Sequence, residues 1–179
     1  MLITEEYRDQ QQQMHAASPH YGSASIIHSP TIAHLINKYE IKELLDYGAG
    51  KLNLIKTISE KRLVEHKFDY VAYEPSDPRY AEAPKPAEMV VCVDVLEHIE
   101  PELLDNVLAD LARVTKRLGF FTIECAAALK TLPDGRNAHL IIEPMEWWLP
   151  RLMIHFEIHL MQRTAHGFLV VVCPHDGTV

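Results

Sequence analysis

The chain lacks most of the features that would take it out of the ordinary globular class. No apolar run in its 179 residues approaches the ~20 needed to cross a bilayer, and no basic-then-apolar export pattern opens it. Cysteine is sparse: Cys92, Cys125 and Cys173 lie far apart, each in an apolar, strand-like run. Without a Cys-x-x-Cys knuckle to hold a metal, the expectation is buried free thiols in a reducing compartment, the cytoplasm. Positive charge is short as well, with 17 Lys and Arg against 25 Asp and Glu and a net charge of −8. Broad nucleic-acid affinity draws on cations at phosphates, so nucleic acid is not a favoured partner and no membrane partner is expected. Lys116, Arg117, Lys130, Arg136 and Arg151 in the C-terminal half read as scattered solvated charges.

What remains is 47% hydrophobic and 23% charged, enough for one core without staples. Residues 1–20 are polar and glutamine-rich, either a flexible tail or a lid-like helix that orders over a ligand. Residues 21–179 read as a single domain, with a turn at Tyr21-Gly22-Ser23. Ser29-Pro30 predicts a helix start, a capping hydroxyl followed by proline in the first turn, with Ile32, Leu35, Ile36 and Tyr39 on one face.

The segment Glu43-Leu44-Leu45-Asp46-Tyr47-Gly48-Ala49-Gly50-Lys51 reads as a buried parallel strand ending in an acid, then a tight glycine turn that opens a helix. Such a turn sets a ligand beside free backbone N–H groups. A dinucleotide fingerprint needs a third glycine where Asn53 stands, and a P-loop needs Ser or Thr where Leu52 follows Lys51. Further on, Phe68–Glu74 is a second strand ending in an acid, and Glu88–Ile99 is an apolar strand leading into Asp94-Val95-Leu96-Glu97-His98. A helix is predicted from Pro101 to Arg117 with Gly119 as its stop, then a strand over Leu118–Cys125. A helix opened by Pro144 follows, carrying Trp147 and Trp148, then strands at about Ile154–Met161 and His166–Cys173, close enough for a hairpin.

Three of these motifs, the acid-x-Gly-x-Gly turn, the acid after the second strand and the Asp-Val-Leu-Glu-His run, occur in the order seen in class I S-adenosylmethionine (SAM) methyltransferases. The chain resembles that family over residues 40 to 173. The resemblance implies an α/β fold with a Rossmann-like methyltransferase sheet, mostly parallel with an antiparallel C-terminal hairpin. Only about fourteen residues, four of them proline, separate Glu74 from Met89. No strand and its helices fit there, so the sheet is expected to have six strands. The family's adenine-side acid has no counterpart, and adenine recognition falls to Pro75, Ser76, Tyr47 or the N-terminal segment.

The resemblance also implies the site. SAM is the expected cofactor, held by Asp46, Tyr47, Gly48, Gly50, Glu74, Pro75, Asp94, Val95 and Leu96. Glu74 would take both ribose hydroxyls, since a carboxylate can accept two bonds from a cis-diol. Methyl transfer needs alignment and a base, for which His139, His98 and Glu124 are the candidates. His139 stands in the polar loop Asp134–His139; a packed or capping role is the alternative for His98. Trp147 and Trp148 are candidates for a pocket wall. His155, Glu157 and His159 alternate as metal ligands can, but read as the solvated face of an edge strand, and no metal is expected. Neither an Asn-Pro-Pro-Tyr signature nor a Pro-Cys nucleophile occurs; Cys173-Pro174 has the reverse order. Lys38, Asp94, Lys130 and Glu157 do not match the spacing of a ribose-methylation tetrad. The reading is methyl transfer to a hydroxyl or amine of a small molecule. A non-catalytic interaction module of the same fold, an RNA methyltransferase and an NAD-binding oxidoreductase stay open as alternatives.

Overall fold

The structure, a computed structural model, describes residues 1–17 and 23–175; the turn expected at Tyr21-Gly22 falls outside them. Five helices, α1 (Glu5–Ala17), α2 (Ser25–Lys38), α3 (Asn53–Glu60), α4 (Leu104–Val114) and α5 (Met145–His155), surround six strands. These are β1 (Glu43–Tyr47), β2 (Asp69–Tyr73), β3 (Ala87–Val93), β4 (Thr115–Glu124), β5 (Phe156–Arg163) and β6 (Gly167–Pro174). They form one sheet in the order β2-β1-β3-β4-β6-β5. The first four strands run parallel, and β6 pairs antiparallel with both β4 and β5. The proline-rich segment after Glu74 contributes no strand, which leaves β2 at the sheet edge and the total at six.

Strand alternation divides a continuous apolar run between two layers. Met89, Val91 and Val93 of β3 pack with Ile32, Ile36, Leu54 and Ile58 from α2 and α3 on one face. Val90 and Cys92 pack with Leu104, Leu108, Leu111 and Trp148 from α4 and α5 on the other. Both faces of the central strands are covered, the condition under which parallel sheets persist. The cysteines are all free; Cys92 and Cys173 are buried, Cys125 partly so.

Two helix boundaries differ from the sequence reading. α2 begins at Ser25, four residues before Ser29, and Pro30 lies inside it. Pro30 has no N–H for the carbonyl of Ile26 one turn back; the buried Ser29 hydroxyl supplies the bond instead, donating to Ile26 O at 2.8 Å. The helix expected over Pro101–Arg117 is a 3-10 turn, Pro101–Leu103, followed by α4, which stops at Val114. Lys116 and Arg117 belong to β4, and Gly119 is a strand residue rather than a stop. A Cβ on Gly119 would sit 2.6 Å from Val172 Cγ2 and 2.7 Å from Phe121 Cζ, so glycine lets two bulky core side chains close over the strand.

Candidate functional site

Four acids stand at the carboxyl ends of the four parallel strands: Asp46 in β1, Glu74 after β2, Asp94 after β3 and Glu124 at the end of β4. The chain leaves β1 for β2 on one side and returns to β3 on the other, which makes this edge the topological switch point, where open α/β sheets bind ligands. A cavity of about 610 Å³ opens there, and all four acids border it.

The glycine turn forms its floor. Gly48 has φ +84°, and a Cβ there would run into the Val95 side chain. The N–H groups of Gly48 and Ala49 both donate to Tyr73 O, at 2.8 and 3.0 Å, tying the turn to the end of β2. Gly50, at φ +50°, donates its N–H to Glu74 Oε2 at 3.0 Å. Glu74 Oε1 accepts from Ser76 N at 3.1 Å and Ser76 Oγ at 2.6 Å, so the acid after β2 is aimed by the turn it serves.

Asp46 is buried and accepts the Tyr70 hydroxyl at 2.7 Å. Desolvation pushes its carboxyl up to about 7, against the Tyr70 bond and with the help of the Glu74 charge. Asp94 has φ +51°, a conformation few non-glycine residues adopt. Thr122 of β4 holds it there: Asp94 N donates to Thr122 Oγ1 at 2.9 Å, and that hydroxyl donates to Asp94 Oδ1 at 2.5 Å. Pro75 and Val95 also border the cavity. Tyr47 does too, but its ring lies 4.7 Å from that of Tyr73 and its hydroxyl donates to Asp110 of α4 at 2.9 Å. Leu96, placed by the resemblance at the cofactor, is wholly buried in the core and lies off the cavity lining.

His98, His139 and Glu124 come together on a second wall. His98 Nδ1 bonds Ala138 O at 2.7 Å and His139 Nδ1 bonds Ala126 O at 2.6 Å. A carbonyl only accepts, so both Nδ1 atoms carry the proton and both Nε2 atoms a lone pair in the neutral rings. The rings meet edge to face, centroids 4.8 Å apart. Burial, then the neighbouring His139, pushes His98 down to about 4, which makes it a weak proton acceptor. Asn137 fixes the loop, its amide bonding both main-chain groups of Ala128 at 2.9 Å and accepting His139 N at 2.9 Å. Burial, then Asp94, raises Glu124. Behind this wall, Glu97 is fully buried; its Oε1 accepts Glu124 N at 3.0 Å, and its Oε2 has no hydrogen-bond partner among the described residues. Burial, then Asp94, holds its carboxyl well above the usual range.

α1 roofs the cavity, bringing Tyr7, Gln11 and His15 to its lining. The Tyr7 hydroxyl donates to His98 O at 2.6 Å and accepts Gln11 Nε2 at 2.6 Å. Thr4 N and Oγ1 donate to Glu100 at 2.9 and 2.6 Å. Tyr70 and Thr122 are site residues the sequence reading missed. A lone hydroxyl in the apolar run Phe120–Ile123 was the available signal for Thr122.

Neither tryptophan lines the cavity: Trp148 is buried in the core, and Trp147 lies under the Arg151 guanidinium, 3.5 Å from its ring centroid. His155 ends α5, while Glu157 and His159 lie on the edge strand β5, whose register shifts between Ile158 and Leu160. Lys116, Arg117 and Arg136 are ion-paired with Glu43, Glu88 and Asp134. No helix among the described residues is long and apolar enough to cross a membrane.

This sheet order, with its glycine turn at the switch point, is that of the class I methyltransferase fold, and solved structures agree. No protein-family model and no curated protein sequence matches the chain. In three dimensions it is similar to the 1,6-didemethyltoxoflavin-N1-methyltransferase of Burkholderia thailandensis, crystallised with bound 1,6-didemethyltoxoflavin and S-adenosylhomocysteine. The identity is 16%, 98% of this chain and 92% of that one are covered, and the TM-score is 0.67. It is also similar to DhpI in complex with SAH (13% identity, 97% and 100% covered, TM-score 0.59). A third likeness is to the mitomycin 7-O-methyltransferase MmcR (12% identity, 86% and 55% covered, TM-score 0.61).

Proposed function

We propose that the protein is a SAM-dependent methyltransferase that acts on a hydroxyl or amine of a small molecule. The observation that carries this reading is the cavity at the switch point, floored by the glycine turn and ringed by four strand-end carboxylates. The floor suits a ligand laid along the main chain: among the described residues, a Cβ on Gly50 would meet only His15 Cε1, at 3.4 Å across the cavity. The small acceptors named for the similar methyltransferases, 1,6-didemethyltoxoflavin and mitomycin, support the substrate class.

In this reading Asp46 would hold the ammonium end of the cofactor and Glu74 its ribose. A carboxylate has about four lone-pair sites. Three protein donors use Glu74, so a cis-diol takes the remaining site and displaces the Ser76 hydroxyl. SAM, when bound, would supply an electrophilic sulfonium methyl to an acceptor lone pair, with the neutral thioether as its leaving group. Glu124 takes the proton the acceptor releases; its raised affinity for a proton makes it a better base than an exposed carboxylate. His139 lines the same cavity.

Calorimetric titration with SAM and S-adenosylhomocysteine tests this. Micromolar binding is expected, weakened at least tenfold in Glu74→Ala and abolished in Gly48→Val, whose side chain collides with Val95. Absence of binding to the wild type at millimolar ligand would overturn the reading in favour of a non-catalytic module of this fold.

A further inference from the structure

We propose that Glu97, His98 and His139 form a site for one divalent first-row metal cation, manganese(II), cobalt(II) or zinc(II), in the wall of the cavity. One ligand atom from each residue lies within 4.8 Å of the other two. In a tetrahedral shell with metal–ligand bonds of ~2.0–2.2 Å, the ligand atoms stand ~3.3–3.6 Å from one another. Closure by up to roughly 1.2–1.5 Å is therefore required, through side-chain torsions of the buried carboxylate and the two partly buried imidazoles.

Three independent features point to a cation. The first is the orphan oxygen of Glu97, fully buried without a partner among the described residues. A protonated Glu97 would leave its O–H with no acceptor there, and an ionised one would leave a charge with no counter-ion; a bound cation answers both. The second is the local charge. Glu124 is bonded through its N–H to Glu97, Asp94 borders the same cavity as Glu124, and among the described residues no ion pair joins any of the three acids to a lysine or arginine.

The third is the orientation of the imidazoles. Each donates its Nδ1–H to a backbone carbonyl, the outer-shell bond by which proteins fix the tautomer and aim of a metal-binding histidine. Two imidazole nitrogens with one carboxylate oxygen suit these cations better than magnesium or calcium, which prefer an all-oxygen shell. Three protein ligands also leave coordination positions for water or an oxygen-bearing acceptor, and His98, His139 and the neighbouring Glu124 border the cavity that would deliver one. No short sequence segment displays this set, because His139 reaches the Glu97-His98 pair only through the fold.

The site stands apart from the methyl-donor reading, and the test keeps them separate. Full-length protein stripped with chelator is titrated with cobalt(II), manganese(II) and zinc(II), and separately with S-adenosylhomocysteine. One equivalent of cation is expected, with a cobalt absorption band in the visible, and affinity falling at least 100-fold in His139→Ala and in the isosteric Glu97→Gln. On cobalt-loaded wild type, proton NMR should show two hyperfine-shifted imidazole N–H resonances, from the rings bonded to Ala138 and Ala126; this reading depends on no variant folding. Absence of binding at millimolar cation, binding unchanged in both variants, or fewer than two such resonances would each overturn the site. Cation binding without S-adenosylhomocysteine binding would sink only the methyl-donor reading, and the reverse only the cation site.

Discussion

Asp46 is a residue whose ionisation should depend on what fills the cavity. Burial holds it near 7, so at pH 6.5 much of it is protonated in the free protein. A cofactor ammonium beside it would favour the charged form and expel that proton. Binding of S-adenosylhomocysteine at pH 6.5 should therefore release a fraction of a proton, seen as a calorimetric enthalpy that changes with the buffer's ionisation heat; Asp46→Asn should erase the dependence. The acids themselves were legible in the sequence, because an apolar run closed by an acid and a glycine turn is a local pattern. The groups that tune them were not. Tyr70 reaches Asp46 from a neighbouring strand and Thr122 reaches Asp94 from another, and both contacts follow from strand register rather than from spacing along the chain. The pairing of His98 with His139 was hidden in the same way.

At the scale of elements, α2 shows how a boundary signal misleads. Ser-Pro is a good helix start when the serine caps, but here Ser29 repairs the break that Pro30 makes. Ser29→Ala should leave the Ile26 carbonyl unpaired and cost about 1–3 kcal/mol in urea unfolding. Pro30→Ala in the same chain restores the missing N–H and should recover most of that loss, a coupling that two independent substitutions would not show. The α4 boundary misled for another reason. Bases after a helix suit its dipole, yet Thr115–Arg117 are drawn into β4, which pairs with β3 and β6 along most of its length. The shortened, six-stranded sheet, by contrast, was readable, since fourteen proline-rich residues cannot hold a crossover helix and a strand.

For the whole molecule, titrating groups buried along one sheet edge set the pH profile of stability. Asp46 has a folded value near 7 against 3.8, so its contribution is complete below about pH 4 and lost as pH rises through 7; Glu97 acts in the same sense. His98 has a folded value near 4 against 6.5, so its contribution is present above 6.5 and lost as pH falls through 4. The two slopes oppose each other between pH 4 and 6.5. Above 6.5 the His98 slope fades and, in stability measured with chelator present, the Asp46 slope remains, about half of its ~1.4 kcal/mol per pH unit limit at pH 7 and near zero by about pH 8. Denaturant midpoints across pH 6–8.5 should show this decline, flattened in Asp46→Asn. The roof over the same edge has a consequence for synthesis. α1 is fastened to His98 and Glu100 by bonds spanning 91 and 96 residues, so it leaves the ribosome long before its anchors exist. At ~5–20 residues per second the wait is roughly 5–20 s. A helix rich in glutamine and acid exposes little that is sticky meanwhile, so the nascent chain carries this helix unfastened, at small risk of aggregation, until the walls it packs on have been made.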